Sequence, residues 1–587
     1  MKNNDFTALV MMCCAVVAGM TGCRQKTCTA HTAGESFGSG VAQVTIPRIE
    51  KMDNMPLPYR IIDWRAKALE FDNYAFDFES SLPAGPIIWI DRSGRNIPQD
   101  TFGLYTAIHD SRQGPDVNNG EFHEALTSLS AVMGGGLVGI DKTSQNGYNF
   151  VKMLQNYFNS DNGWNIVMNN TSPDVAALGG GYGRDWWYDV LPNALFYAVS
   201  DIFPDVDGAA DIQRSVADRF YEAGEVLGTN YDYSYFDYST MSPHVNNIPL
   251  QQDAAGGHAY VLYSAYRKFG DERYLEGAKK ALDALDAQTE SRFYEILLPL
   301  GIYTAARLNA QTGTHYDTEK MINWVFDGVK DPSGRYGWGV IQDRWGPYDV
   351  SGLQGSITDG GGYAFFMNSV KMVWPLLPMV KYEPKYARAI GKWMNNNVNA
   401  SRLFYPDQIP DMYQWLPDQK NITGGAIAYE GLRKFDDYGN PRLKGISPVA
   451  IGDGPKWTPD NPDESMFSVY STAPVGILGA TVRTTDVDGI LKLDLNATDF
   501  YADKPYPAWL IYNPYPQDVE IVYGTLSGKT DLFDVVAKQY VAEDVSGRVK
   551  ITVPADSARV VYELPAGTVV SRSDGRLIAG DGHVILY

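Results

Sequence analysis

The chain has 587 residues, enough for two or three domains with large cores. Hydrophobic residues make up 44% and charged residues 20%, the balance of a globular protein, while aromatics reach 13%, with 38 Tyr and 13 Trp. A formal net charge of −21, from 49 basic and 70 acidic side chains, excludes the basic surface that nucleic acid requires, but not an anionic sugar held by one or two arginines inside a cleft.

Residues 1–22 read as a lipoprotein signal peptide. Lys2 precedes the apolar run ALVMMCCAVVAGM, too short to span a membrane as a mature helix. Met20-Thr21-Gly22-Cys23 then resembles a bacterial lipobox, which implies a lipidated Cys23 and a lipid anchor; an ordinary secretory signal is the alternative. CRQKT after Cys23 lacks an acidic export run, so the expected location is the outer membrane, facing the periplasm. Cys13, Cys14, Cys23 and Cys28 all precede the body of the protein, which leaves no disulfide framework and no Cys-based metal site. Residues 23–48 read as a flexible tether.

Residues 49–440 alternate two kinds of helix. Helices that are apolar nearly all round are expected to begin near Tyr59, Glu121, Arg184, Gln251, Tyr294 and Gly361. Their partners are amphipathic: DTFGLYTAIHD, NGYNFVKMLQNYF, AADIQRSVADRFYEAGEVLG, DERYLEGAKKALDALDAQ, YDTEKMINWVFDGVK and EPKYARAIGKWMNN. A helix without a polar face needs neighbours on every side, and one with a single apolar stripe belongs outside. The pattern therefore predicts an (α/α)6 toroid, with residues 400–445 irregular and linking or lining its mouth. From 441 to 587, short runs separated by turn residues (VGILGATV, GILKLDL, AWLIYN, VEIVYG, RVKITV, ARVVYEL, HVILY) predict a C-terminal antiparallel β-sandwich. The fold class is thus mainly α with a β domain.

In such a toroid the loops entering the inner helices share one rim. Here they are GGGYGRDWW, YDYSYFDYSTMSPHVNNIPLQQD and DRWGPYDVSGLQGSITDGGGYAF, each mixing acids, aromatics and glycine. Trp186, Trp187 and Trp345 could stack on pyranose faces, and Arg184, Arg344 or Arg292 could clamp a carboxylate, with Tyr348 beside Arg344 and Trp345. The competing reading makes Asp185 a helix cap and the tryptophans core. Glycoside hydrolysis needs a proton donor and a second carboxylate. The rim offers Asp185, Asp189, Asp232, Asp237, Asp253, Glu295, Asp343, Asp349 and Asp359. Asp185 is favoured for its aromatic surroundings, Asp359 for its glycine-rich setting, and Glu295 for its place at an inner-helix start. His244 and His258, two of seven histidines, also fall near the rim, where a His–Tyr pair could instead be the base of a uronic-acid lyase. No metal-ligand spacing is present, and no cofactor is expected.

The opening GRDWWYDVLPNALF resembles the W-x-x-D-x-L helix start of unsaturated glucuronyl and rhamnogalacturonyl hydrolases. The whole mature chain, including AIGDGPKW before the β region, is similar to glycoside hydrolase family 154 of Bacteroidota, which implies β-glucuronidase activity. The resemblance rests on texture and assigns no catalytic pair. The expectation is an exo-acting glycosidase that releases a uronic acid, β-linked glucuronate, from a polysaccharide side chain. The alternatives are a polysaccharide lyase and a non-catalytic glycan-binding lipoprotein; an oligomer is compatible with either.

Overall fold

The computed structural model describes residues 37–121, 123–160, 162–171, 185–328, 338–356, 362–436, 438–452, 460–526, 528–580 and 582–587. The lipidation candidate Cys23, Arg184 and Asp359 lie outside the described residues. The principal helices, in chain order, are α1 (Trp64–Ala75), α2 (Ala125–Leu137), α3 (Trp186–Ile202), α4 (Ala209–Leu227), α5 (Ala254–Phe269), α6 (Glu272–Asp286), α7 (Leu297–Thr312), α8 (Thr318–Asp327), α9 (Phe366–Lys371), α10 (Ala387–Ser401) and α11 (Gly476–Thr481).

Burial separates two classes. α5 is buried without a break from Ala254 to Ala265, and α7 from Leu297 to Leu308. α6 instead buries Tyr274, Leu275, Ala278, Ala281, Leu282 and Leu285, one stripe at helical spacing. The fully buried helices pack in sequence: α2 on α3, α3 on α5, α5 on α7, α7 on the turns Val373–Leu376 and Met379–Tyr382 that continue α9, and α9 on Val469–Thr472 and α11. α11 then returns to α2 and closes a ring. α4 and α6 lie outside α5, α8 outside α7, and α1 outside α11. This packing is compatible with the expected α/α toroid.

The pairing differs from the expectation in three places. The helix expected near Tyr59 is α1, an outer helix, and the inner position it would have filled belongs to Val469–Thr481, beyond residue 440. VGILGATV was expected as a strand, because a short aliphatic run has no readable period. It is helical and buried on every side through Ala473–Thr481. DTFGLYTAIHD contains the strand Thr101–Leu104, paired with Ile88–Asp91, and NGYNFVKMLQNYF supplies only the short turns Phe150–Met153 and Leu154–Tyr157. α10 was expected to keep a polar outer face, yet all of it except the half-buried Arg388 is buried, with the C-terminal sheet packed on it.

That sheet is antiparallel, six-stranded and ordered Val482–Thr484, Leu491–Asp494, Ala508–Asn513, Ser557–Pro565, Thr530–Asp534, Gln539–Val545. On its outer face a two-stranded ribbon, Val519–Gly524 with Arg548–Val553, closes a core of Ile490, Trp509, Ile511, Ile521, Leu532 and Val561. The six-stranded sheet and the ribbon face each other across that core, helices cover the other face of the sheet, and a three-stranded antiparallel sheet, Val570–Ser573, Arg576–Ala579 and His583–Leu586, follows. The predicted tether is docked from Phe37 onward. Phe37 and Ile46 are buried, and the Phe37 and Val41 amides bond to Lys538 and Val536 carbonyls. Over the ring mouth lies a smaller antiparallel sheet of Trp338–Val340, Gln354–Ser356, Tyr363–Phe365, Gly431–Arg433 and Val449–Ile451.

Candidate active site

Four inner helices begin directly after, or one residue beyond, a buried acid: Glu124 before α2, Asp185 before α3, Asp253 before α5 and Glu295 before α7. These carboxyl groups do not cap their helices with their side chains. The outer helices behave differently. Asp63, Asp271 and Asp317 each accept a hydrogen bond from the first turn of α1, α6 and α8, as a helix-capping aspartate should. The inner acids are bonded instead to groups from other segments, and Glu295 lies within the field of Asp185 and Asp253, while the positive ends of the helix dipoles favour charge there.

A network of amides fixes them. Gln251 donates its Nε2 to Asp185 Oδ1 and accepts the Trp187 amide at 3.0 Å through its Oε1. Asp253 Oδ2 accepts the Tyr294 amide at 3.1 Å. Asn368 donates to Glu295 Oε2 at 2.5 Å, and Gln354 donates to the Glu295 carbonyl at 3.1 Å. Asn169 donates to Glu124 Oε1 at 2.9 Å. Glu295 sits at φ 59°, a left-handed conformation that costs a non-glycine residue about 1–3 kcal/mol and is stored where surrounding contacts over-determine it. The two amides that hold its carbonyl and carboxyl supply such contacts.

Burial dominates the electrostatics. It pushes the Glu295 carboxyl up to about 8; the charges of Asp185 and Asp253 add to the rise, and the Asn368 hydrogen bond and Lys371 oppose it. Burial likewise raises Asp253 well above the carboxylate range and raises Glu124. Lys371, at the end of α9, is pushed down to about 7 by burial against the pull of Glu124 and Glu295. Tyr188 and Tyr470 border the cluster, and each feels the charge of Glu124 and Glu295. Glu430 reaches it from the mouth sheet, where it accepts the Tyr363 hydroxyl at 3.3 Å and acts on Tyr470. Among the described residues no metal-binding cluster of acids, histidines or cysteines is present. A buried acid that stays protonated at neutral pH beside a second carboxylate can donate a proton to a leaving oxygen while its neighbour acts as base or nucleophile.

Of the residues singled out from sequence, Asp185 acts on Glu295 through its charge, and Trp187 is tied to Asp185 through Gln251, its ring 4.0 Å from that of Tyr188. Trp186 does not line the cluster. It is fully buried between Tyr231 and Phe236, the rings inclined at 12° and 16°, and its indole N–H bonds to Tyr238. His258 is core as well: fully buried, bonded to the Tyr238 hydroxyl at 2.8 Å and pushed by burial down to about 3. His244 stacks on Tyr235 and bonds to Ser242 inside its own hairpin. Arg292 is engaged by Asp232 and Glu290.

Arg344, Trp345 and Tyr348 form a separate hairpin. Arg344 is exposed and bonds to the Pro347 carbonyl, Trp345 is buried with its indole N–H on Asp343, and Tyr348 packs on Tyr413 with Arg402 above it. Asp343 also accepts Lys434 Nζ at 2.7 Å, and the turn at Gly346 is pressed against Ser447; none of the described contacts of Arg344, Trp345 or Tyr348 is to Glu124, Asp185, Asp253 or Glu295. Of the other acids considered, Asp237 bonds to the Ser239 and Thr240 amides, and Asp349 to Ser351. Reasoning from sequence missed Glu124, Glu430, Lys371, Asn368, Tyr188 and Tyr470. The usable signal was positional, an acid just ahead of each inner helix, and it was lost at Glu124 by placing that helix start at Glu121.

No protein-family model matches the sequence, and no curated protein matches it. Among solved structures, the chain is similar to a mutant unsaturated glucuronyl hydrolase from Streptococcus agalactiae, at 12% identity over 74% of this chain and 96% of that one, with a TM-score of 0.35. It is similar to a GH127 β-L-arabinofuranosidase from Geobacillus stearothermophilus T6, at 11% identity over 78% of each chain, with a TM-score of 0.34. A second GH127 β-arabinofuranosidase shows 11% identity over 90% of this chain and 84% of that one, with a TM-score of 0.35. The structural neighbours are thus glycoside hydrolases, at an identity that carries no residue role across.

Proposed function

We propose that the protein is an exo-acting glycoside hydrolase that releases a uronic acid, β-linked glucuronate, from polysaccharide side chains. Glu295 is the proton donor and Asp185 the base or nucleophile. The observation that carries this reading is the buried ring of acids in which Glu295, raised to about 8, stands within the field of Asp185. The uronate part rests on the resemblance to glycoside hydrolase family 154 and on Arg433, whose guanidinium lies 4.5 Å from the ring of Tyr363 beside Glu430. A lyase using His258 is disfavoured, because that imidazole is buried, bonded to Tyr238 and too weak a base. In the same proposal, lipidation at Cys23 anchors the protein to the outer membrane on its periplasmic side.

The test is a panel of aryl glycosides given to the full-length protein, to Asp185→Asn and to Cys23→Ser, with the membrane and soluble fractions of cells assayed separately. The expected outcome is release from the β-glucuronide, an Asp185→Asn rate lower by about 10³-fold or more, and activity that leaves the membrane fraction in Cys23→Ser. Glycan binding without release of any sugar overturns the enzyme reading. An unsaturated product overturns hydrolysis in favour of elimination.

A further inference from the structure

The register of the mouth sheet sorts its side chains by face. Trp338 is paired with Ser356, Ser356 with Tyr363, and Tyr363 with Arg433. Directly paired residues of antiparallel strands point to the same side, so these four form one row across four strands. Two residues along their strands, Gln354 and Phe365 lie on the same face. Gln354 donates to the Glu295 carbonyl at 3.1 Å, the Phe365 ring lies 6.0 Å from that of Tyr470, and Trp338 meets Tyr294 edge to face at 6.1 Å. The row therefore looks onto the start of α7, where Glu295 stands. The opposite face carries Gly339, Gly355, Ala364, Leu432 and Ala450, all buried.

The two ends of the row differ in chemistry. At one end the Arg433 guanidinium stands 4.5 Å from the centre of the Tyr363 ring and 5.4 Å from that of Tyr438. At the other, Trp338 is 7% exposed, and its buried indole N–H makes no hydrogen bond. A buried donor without an acceptor is costly and uncommon, and a ligand oxygen would satisfy it. Three strand spacings set the ends about 14 Å apart, more than one pyranose ring spans. The strand that holds Glu295, through Gln354, lies between them.

We propose that this face of the mouth sheet reads two successive sugar units: the released uronate on the Arg433 side and the unit left behind on the Trp338 side, with the Trp338 N–H donated to an oxygen of that second unit. The inference rests on Glu295 as the proton donor of a uronate-releasing hydrolase. Because Glu295 is tied to a strand between the two ends, the scissile oxygen falls between Arg433 and Trp338. The substrate is then an oligosaccharide capped by β-glucuronate, and Trp338 determines specificity for the sugar next to the cap.

The experiment is a calorimetric titration of the full-length Glu295→Gln protein, from which the proposed proton donor has been removed. The ligands are glucuronate, a β-glucuronyl disaccharide and the β-glucosyl disaccharide that lacks the carboxylate. The β-glucuronyl disaccharide is expected to bind several-fold more tightly than glucuronate; equal affinity overturns the proposal before the binding face is altered. Adding Trp338→Phe, which keeps a ring and removes the N–H, is expected to weaken the disaccharide about 3- to 10-fold more than glucuronate, the range of one hydrogen bond. Adding Arg433→Gln is expected to weaken both uronic ligands more than the β-glucosyl disaccharide. Equal effects of Trp338→Phe on disaccharide and glucuronate, or none on either, overturn the proposal. If only the neutral disaccharide binds and Trp338→Phe weakens it, the uronate reading fails and the second-unit subsite stands. If the disaccharide binds as expected but wild type releases no sugar, the hydrolase reading fails and the subsite again stands.

Discussion

Glu295 concentrates several costs in one residue. It is buried, it holds a left-handed backbone, and its carboxyl group is surrounded by other acids. A raised carboxyl pKa binds its proton more tightly in the folded state than in the unfolded one. Its contribution is therefore full below the unfolded value of 4.5 and is lost as pH rises towards about 8. Glu295→Gln removes that dependence. The melting temperature of the variant relative to wild type is expected to climb between about pH 5 and about pH 8, and a constant difference across that window contradicts the assignment. Asp185 and Glu295 were legible in the sequence because each precedes an inner helix. Trp186 was misleading for the same reason: the first turn of α3 sends Trp186 into the wall and leaves Trp187 beside Tyr188 and the Gln251–Asp185 pair, and the order WW does not tell which. Lys371 was illegible because a lysine at the end of a short helix looks like an ordinary solvent contact until its neighbours are known.

At the scale of elements, the ring depends on helices that approach closely. A Cβ on Gly301 of α7 would stand 2.7 Å from the Gly256 Cα of α5, and one on Gly476 of α11 would run into the Gly134 carbonyl of α2. Gly476 sits at the closing contact of the ring. Gly476→Ala forces α11 away from α2, with a cost of about 1–3 kcal/mol typical of overpacking a filled core. Denaturant or thermal unfolding checks it: a clear loss of stability is expected, and a neutral or stabilising effect contradicts the described closure. The alternation of buried and striped helices was readable from 3.6-residue periodicity, whereas the partner of each helix was not. α1 and α11 lie more than 400 positions apart, and nothing in either sequence names the other. Where the run was short and aliphatic, as in α11, helix and strand could not be told apart from pattern alone.

At the scale of the molecule, the C-terminal sheet and the helical ring share buried groups. Arg307 of α7 donates to the carbonyls of Phe500 and Tyr501, and Lys381 reaches Asp499 at 2.6 Å, with Tyr303 and Tyr382 on the same carboxylate. The sheet also takes up the face of α10 that composition alone would have left in solvent. These contacts hold the far end of the ring while the mouth sheet and the acids occupy the other, so the arrangement separates a stabilising end from the one that carries the candidate site. Change of texture near residue 440 made the β region visible in the sequence. The layering of helices, sheet and ribbon was not visible, because it depends on which face of each strand meets which helix.

The central claim, that Glu295 is a proton donor working opposite Asp185, is tested most directly by varying the leaving group. Glu295→Gln and wild type are compared on two β-glucuronides, one with a dinitrophenyl leaving group that needs no protonation and one with an alkyl leaving group that does. The account predicts that the variant keeps most of its rate on the first and loses about 10²–10⁴-fold on the second. Equal losses on both substrates, or none on either, would contradict it.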